Sequence, residues 1–439
     1  MIYNLIIYLY SLGVAIYSLF NEKVRKMWRG EHEAFRILKE KVDPDALYVW
    51  FHAASLGEFE QGRPLMEQLR MEHPEYKILL TFFSPSGYEV RKNYEGADII
   101  TYLPLDTITN ARRFLRAIRP VMAFFIKYEF WYNYLHILKH RNVPVYSVSS
   151  IFRPDQVFFK WYGRQYGRVL NCFTHFFVQN EQSKELLAKI GITAVTIVGD
   201  TRFDRVLQIK EAAKQLPIVE DFIEVRSEKQ EVRDYQKPKV FVAGSSWPPD
   251  EEIFIKYFNA HPEWKLIIAP HVICEDHLKQ IEKLLEGRKV VRYTAVEKSV
   301  AETSLTIPEQ SSPTRSLSHL LPLTSYNVLI IDCFGLLSSI YHYGDVAYVG
   351  GGFGVGIHNL LEAAVWDVPV FFGPNNQRFQ EAQGLKKNGG FEISSYEDFE
   401  KQMNRFIADE AYLKEQGRLA GKYVKGKAGA TKEVLSSVC

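Results

Sequence analysis

The chain has 439 residues, 46% hydrophobic and 24% charged, enough for two cores of ordinary domain size and incompatible with a disordered or collagen-like chain. Its 54 Lys and Arg against 52 Asp and Glu leave a formal net charge of +2, so no whole-chain basic field points to nucleic acid, and any polyanion site has to be local. The four cysteines, Cys172, Cys274, Cys333 and Cys439, lie far apart without a C-x-x-C pair, which excludes a disulfide framework and argues against structural zinc.

Ile2 to Phe20 is uncharged and rich in Ile, Leu, Val and Tyr; as a helix it would extend roughly 28 Å, close to the span of a bilayer. No Lys or Arg precedes it and no small-residue cleavage site follows, so an uncleaved membrane anchor over residues 1–21 is expected rather than a signal peptide. Lys23, Arg25, Lys26 and Arg29 follow directly and place the body of the chain on the cytoplasmic side. Asn4, Ser11, Gly13 and Ser18 leave open whether the segment spans the bilayer or lies in it as an amphipathic or packed helix.

From Leu47 the chain alternates short apolar runs with amphipathic stretches of 3.6-residue spacing. The predicted strands are Leu47–His52, Ile78–Phe83, Ile99–Leu103, Met122–Ile126, Val143–Val148, Phe176–Val178 and Thr196–Val198. Predicted helices include Glu58–Met71, Asn110–Ile118, Tyr132–His140 and Glu181–Ile190. A polar, Lys/Glu-rich stretch interrupts the pattern, which resumes with strands at Val240–Ala243, Leu266–Ala269, Val290–Tyr293, Val328–Ile331, Val346–Val349 and Val370–Phe372. The expected fold class is α/β with two Rossmann-like, doubly wound parallel-sheet domains, residues 22–206 and 239–439, joined by a linker at 207–238. Ligands of such sheets sit beyond the carboxyl ends of the strands, so a cleft between the domains is the default active site. Thr294–Tyr326, with Pro308, Pro313 and Pro322, reads as a long polar loop.

Four segments carry candidate chemistry. His52-Ala53-Ala54-Ser55-Leu56-Gly57-Glu58 joins the first strand to the first helix; Gly57 would permit a tight turn, and Glu58 reads either as a general base or as a complement to the helix dipole. Lys127-Tyr128-Glu129-Phe130-Trp131 follows the fourth strand and reads either as a sugar-binding surface or as a helix start packed under the sheet. Ala243-Gly244-Ser245-Ser246 offers hydrogen bonds to phosphate oxygens, although Ser246 and Asp250 also suit ordinary caps. Gly350 through Ala363 leaves a strand and opens a helix, where glycines and helix N–H groups suit an anion and Glu362 suits ribose hydroxyls. Its spacing is neither a Walker A loop nor a dinucleotide fingerprint. Asp43-Pro44-Asp45 is turn chemistry, and no metal site or cofactor is expected.

These segments together resemble the 3-deoxy-D-manno-octulosonic acid (Kdo) transferase family of lipopolysaccharide biosynthesis, which has the GT-B fold. The resemblance rests on Ala54-Ser55-Leu56-Gly57-Glu58, Glu129-Phe130-Trp131 with Asn133, Gly199-Asp200 with Phe203-Asp204, and Ala243 to Ser246. Asp332 with Gly335, Val349 through Gly356, His358-Asn359, Leu361-Glu362-Ala363, Pro369-Val370 and Gly373-Pro374 complete it. It implies inverting, metal-independent transfer of Kdo from CMP-Kdo to a lipid A precursor (lipid IVA) at the cytoplasmic leaflet of the inner membrane. It further implies Glu58 as general base and Glu129 as a second catalytic carboxylate. Ser245, Ser246, His271, Gly356, His358, Asn359 and Glu362 would lie on the donor, and Lys127 and Trp131 on the acceptor. Two positions depart from the family: Ala269-Pro270-His271 stands where Pro-Arg-His is usual, so an arginine expected near the donor phosphate is absent, and Lys127-Tyr128-Glu129 replaces Glu-Thr-Glu. His271 then reads either as a partial substitute for that arginine or as a cap of the following helix. Competing functions are a GT-B transferase using a UDP-sugar and a lipid-linked acceptor, a catalytically silent membrane-anchored nucleotide-sugar-binding protein, and a sugar-nucleotide epimerase.

Overall fold

The computed structural model of the chain describes residues 2–223, 238–305, 323–354 and 356–439. Two compact units form, one from Met1–Arg205 with Lys427–Cys439 and the other from Val206–Gly426.

The first unit is built on a parallel sheet of β1 (Leu47–His52), β2 (Tyr76–Phe82), β3 (Ile99–Tyr102), β4 (Met122–Ile126), β5 (Val145–Ser150), β6 (His175–Val178) and β7 (Val195–Ile197). Their order is β3-β2-β1-β4-β5-β6-β7. The central strands are apolar on both faces because helices cover both: Trp50 and Phe125 point into one core and Phe51 and Phe124 into the other. The order reverses between β1 and β4, opening a crevice at their carboxyl ends. Six helices frame this sheet up to β5: α1 (Ile2–Tyr17), α2 (Glu22–Lys41), α3 (Leu56–Glu72), α4 (Pro85–Arg91), α5 (Ile108–Ile118) and α6 (Tyr132–His140).

The expected membrane anchor, and with it placement at the cytoplasmic leaflet of the inner membrane, is overturned. Among the described residues no helix is long and apolar enough to cross a membrane. α1 ends after 16 residues, about 24 Å of helix, and its polar groups bind the first unit. The Tyr3 hydroxyl donates to the Asp106 carboxylate at 2.6 Å, Asn4 Oδ1 accepts from Asn133 Nδ2 at 2.8 Å, and Val14 and Ser18 are buried. Arg25, part of the expected basic flank, instead donates to the carbonyls of Ser18 and Leu19 in the turn that follows α1.

In the second unit β8 (Val240–Ser246), β9 (Lys265–Pro270), β10 (Val290–Arg292), β11 (Val328–Ile330), β12 (Val346–Val349), β13 (Val370–Phe372) and β14 (Gly390–Glu392) form a parallel sheet of order β10-β11-β9-β8-β12-β13-β14. Its reversal falls between β8 and β12. The expected linker is partly helical, with Arg202–Glu211 and Pro217–Ile223; residues 224–237 of it lie outside the described residues. The expected polar loop also begins as a helix, Tyr293–Leu305, since no proline interrupts its Ala, Glu and Lys before Pro308; residues 306–322 lie outside the described residues.

The last helix, Ala430–Val438, belongs to the first unit. Asp204 accepts hydrogen bonds from the Thr431 N–H and hydroxyl at 2.8 Å, and Val434 and Leu435 are buried against the core containing Val49 and Phe51.

Candidate functional site

Each unit gathers expected site residues at its own strand-order reversal. In the first, Ser55 occupies the N-cap position of α3 without a side-chain capping bond, and Glu58 stands three residues on, the spacing at which a side chain reaches back to free N–H groups. Glu58 Oε2 accepts the Ala54 N–H at 2.6 Å. Gly57 lies inside the first turn of α3 rather than in a tight turn, with open space where a side chain would project. Although Glu58 does complement the helix terminus, burial and the neighbouring Glu129 charge outweigh those N–H bonds and Lys127, pushing its carboxyl up to about 7.

Glu129 is held by two donors. Trp131 Nε1 donates to its Oε2 at 2.7 Å, and His52 Nε2 lies 3.2 Å from the same oxygen. His52 is fully buried at the end of β1, with Nδ1 2.9 Å from Thr81 Oγ1, and Thr81 also accepts from Trp50 Nε1 at 2.8 Å. Sequence reasoning assigned His52 and Thr81 no part in the site; the available signal was a histidine closing an otherwise apolar central strand. Lys127 adopts a left-handed backbone with φ of 60° directly after β4, a strained conformation of the kind that gathers at functional sites.

In the second unit, Ser245 interrupts the end of β8 with φ of 51°, where the pairing with β9 shifts register between Gly244 and Ser246. The Ser246 hydroxyl is turned away from solvent and donates to Glu251 at 2.8 Å, and Glu251 also meets His277 Nε2 at 2.9 Å. Asp250, one of the suggested caps, organises the loop. It is buried and accepts from Trp247 N–H at 2.9 Å, Gly351 N–H at 3.0 Å and the Tyr348 hydroxyl at 2.7 Å. Gly352 lies backbone to backbone against Gly373, where an added Cβ would come within 2.6 Å, and Gly356 has φ of 141°, so neither position accepts a side chain without strain.

The His271 ring stacks between Trp247, at 4.8 Å, and His358, at 4.3 Å. It does not cap the next helix, which starts at Glu275 with Cys274 as its cap. Burial and the neighbouring His271 lower His358 to about 4, so it is neutral; its Nε2 accepts from Trp247 Nε1 at 3.2 Å, leaving the proton on Nδ1. Asn359 Nδ2 donates to Glu362 at 2.9 Å while Asn359 Oδ1 accepts the Leu361 N–H. The helix expected after this loop is only the single turn Leu361–Ala364, so side chains rather than a long helix dipole set its polarity. Among the described residues no group of three or more His, Cys, Asp or Glu is arranged to hold a metal ion.

Two parallel doubly wound sheets, each with polar residues at its switch point, define a GT-B-like fold. That fold alone is shared by enzymes of different chemistry: the UDP-GlcNAc 2-epimerase of Neisseria meningitidis bound to UDP-GlcNAc superimposes with a TM-score of 0.60 at 15% identity, covering 89% of this chain and 99% of that one. The sequence separates them. Residues 27–205 match the family described as 3-deoxy-D-manno-octulosonic-acid transferase (kdotransferase). The 3-deoxy-D-manno-octulosonic acid transferase of Aquifex aeolicus is 25% identical over 394 residues, covering 87% of this chain and 93% of the relative. That of Rickettsia felis is 23% identical over 449 residues, covering 96% and 89%. Along most of its length the chain is thus similar to Kdo transferases, and the family match and the fold together make it a GT-B-fold glycosyltransferase.

Proposed function

We propose that this glycosyltransferase transfers Kdo from CMP-Kdo to a lipid A precursor, lipid IVA, with inversion, Glu58 serving as general base. The observation that carries the reading is the half-buried Glu58 carboxyl, raised to about 7 beside Glu129 at the β1/β4 switch point. An acceptor hydroxyl is a poor nucleophile, and a base is most effective when its pKa lies near the working pH. In the proposed step Glu58 takes the hydroxyl proton as the new bond forms at the anomeric carbon, while CMP departs with the bonding electrons. Glu129, oriented by His52 and Trp131, keeps the Glu58 pKa high and offers a second oxygen to the sugar hydroxyls, with Lys127 and Trp131 contributing to the acceptor site. Ser245, the Gly356 loop, His271, His358, Asn359 and Glu362 bind the donor nucleotide. Ser246 contributes indirectly, through Glu251.

A UDP-sugar donor is the second reading, favoured by the absence of an arginine in Ala269-Pro270-His271. The test is incubation of purified protein with freshly generated CMP-Kdo and tetraacyl lipid A precursor, products read by mass spectrometry, alongside calorimetric titration with CMP and UDP. A mass increment of one or more Kdo residues, with CMP bound in preference to UDP, supports the proposal. Binding of UDP alone, with no Kdo added, refutes it in favour of the second reading.

A further inference from the structure

A second polar site lies apart from the Glu58 crevice, on the outer side of α5 and α6. The apolar residues of these helices, Ala111, Phe114, Leu115 and Ile118 on α5 and Tyr134, Leu135 and Leu138 on α6, enter one core. Spacing of four residues then aligns Arg112 with Arg116 along α5 and His136 with His140 along α6. All four line a groove of about 540 Å³, together with Arg141. No Asp or Glu lines it.

Most of the donors on these side chains are not spent within the fold. Among the described residues, the Arg112 and Arg116 guanidiniums make no hydrogen bond or ion pair. Arg141 spends one N–H on the Leu115 carbonyl at 2.8 Å. His136 Nδ1 donates to the Tyr132 carbonyl at 2.7 Å, which leaves Nε2 without a partner among the described residues. Compensation of helix dipoles accounts for Arg116 and His140, which stand in the last turns of their helices. It does not account for Arg112 and His136, a turn earlier, where the dipole has faded.

We propose that this groove binds a phosphomonoester or diphosphate group. Permanently charged guanidinium forks on one wall match the oxygens of a tetrahedral dianion, and the His140 imidazole on the other wall can add one further N–H. The group can belong to a free phosphate compound or to a phosphorylated sugar headgroup, and the site stands whichever nucleotide sugar the enzyme uses.

Calorimetric titration of the full chain with pyrophosphate, a glucosamine disaccharide bisphosphate and the same disaccharide without phosphates tests the proposal. One equivalent of a phosphorylated probe should bind, at least tenfold more weakly to Arg112→Gln/Arg116→Gln. Lys184→Gln/Lys189→Gln, which removes the same charge from another helix, should bind as the parent does. Tighter binding of the bisphosphate than of pyrophosphate, with none of the unphosphorylated sugar, identifies a sugar phosphate as the ligand; equal binding identifies a free phosphate compound. If Arg112→Gln/Arg116→Gln does not fold by circular dichroism, His136→Gln/His140→Gln takes its place with the same expectation. Absence of saturable binding, equal binding by the groove variant, or equal loss in the lysine variant overturns the proposal.

Discussion

The interaction between Glu58 and Glu129 makes the proposed mechanism testable through pH. Raising the Glu58 carboxyl from 4.5 to about 7 makes its ionisation about 3 kcal/mol harder than in water. Burial is the largest cause and the Glu129 charge the next. Glu129→Gln keeps an oxygen to accept the Trp131 N–H but deletes the charge. A like charge in a half-buried site contributes on the order of one pKa unit, so the acidic limb of kcat/KM against pH, near 7 in the parent, should move down by roughly that amount. The plateau should also drop, because Glu129 is proposed to touch substrate. Burial remains, so the limb should stay above the range of an exposed carboxylate. Glu58→Gln should remove the limb and lower the rate by about 10²–10⁴-fold, while CMP binding survives because the proposed nucleotide ligands lie on the other unit. An unmoved limb in Glu129→Gln, or an intact one in Glu58→Gln, would refute the assignment of the base.

Other perturbations test the supporting structure. Burial raises Asp106 from 3.8 to about 6 against the opposing bonds of Tyr3 and Asn133, so the folded state holds a proton that the unfolded state has already lost between those values. Stability should therefore fall as pH rises from about 4 to 6, and urea denaturation of Asp106→Asn should lack that component. Asp250→Ala leaves three donors, two of them in buried bonds, without their acceptor and should cost about 3 kcal/mol by denaturant melting, with loss of CMP affinity; unchanged stability would remove Asp250 as organiser of the glycine loop. Glu362→Ala should weaken CMP binding by about 2–3 kcal/mol in calorimetry while leaving the acceptor requirement in place, and an unaltered CMP affinity would exclude the ribose contact.

Local signals were enough to locate most of the sheet. β1, β4, β12 and β13 run as the apolar pattern indicates, because strands buried on both faces must be apolar throughout. The three-residue β14, Gly390–Glu392, escaped notice because only Gly390 is buried, Phe391 is half-buried and Glu392 exposed, so no apolar run marks it. The carboxylate pair was legible as residue types at strand ends, since side chains there have few purposes other than capping or chemistry. What periodicity could not reveal was which groups share a proton or a lone pair. His52 and Thr81 stand 29 residues apart and meet only because β1 and β2 pair in register; Asp250 and Gly351 meet only because β8 lies beside β12. The reading of α1 failed for the same reason. Its composition is apolar, but Asp106 and Asn133, more than a hundred residues away, supply polar partners. The order of residues determined which segments become strands, helices and glycine turns, because those depend on neighbours a few positions apart. The tertiary structure alone decided the Glu58 pKa, the tautomer of His358 and the docking of α1, because burial and charge at a point are set by whatever the fold brings there from distant parts of the chain.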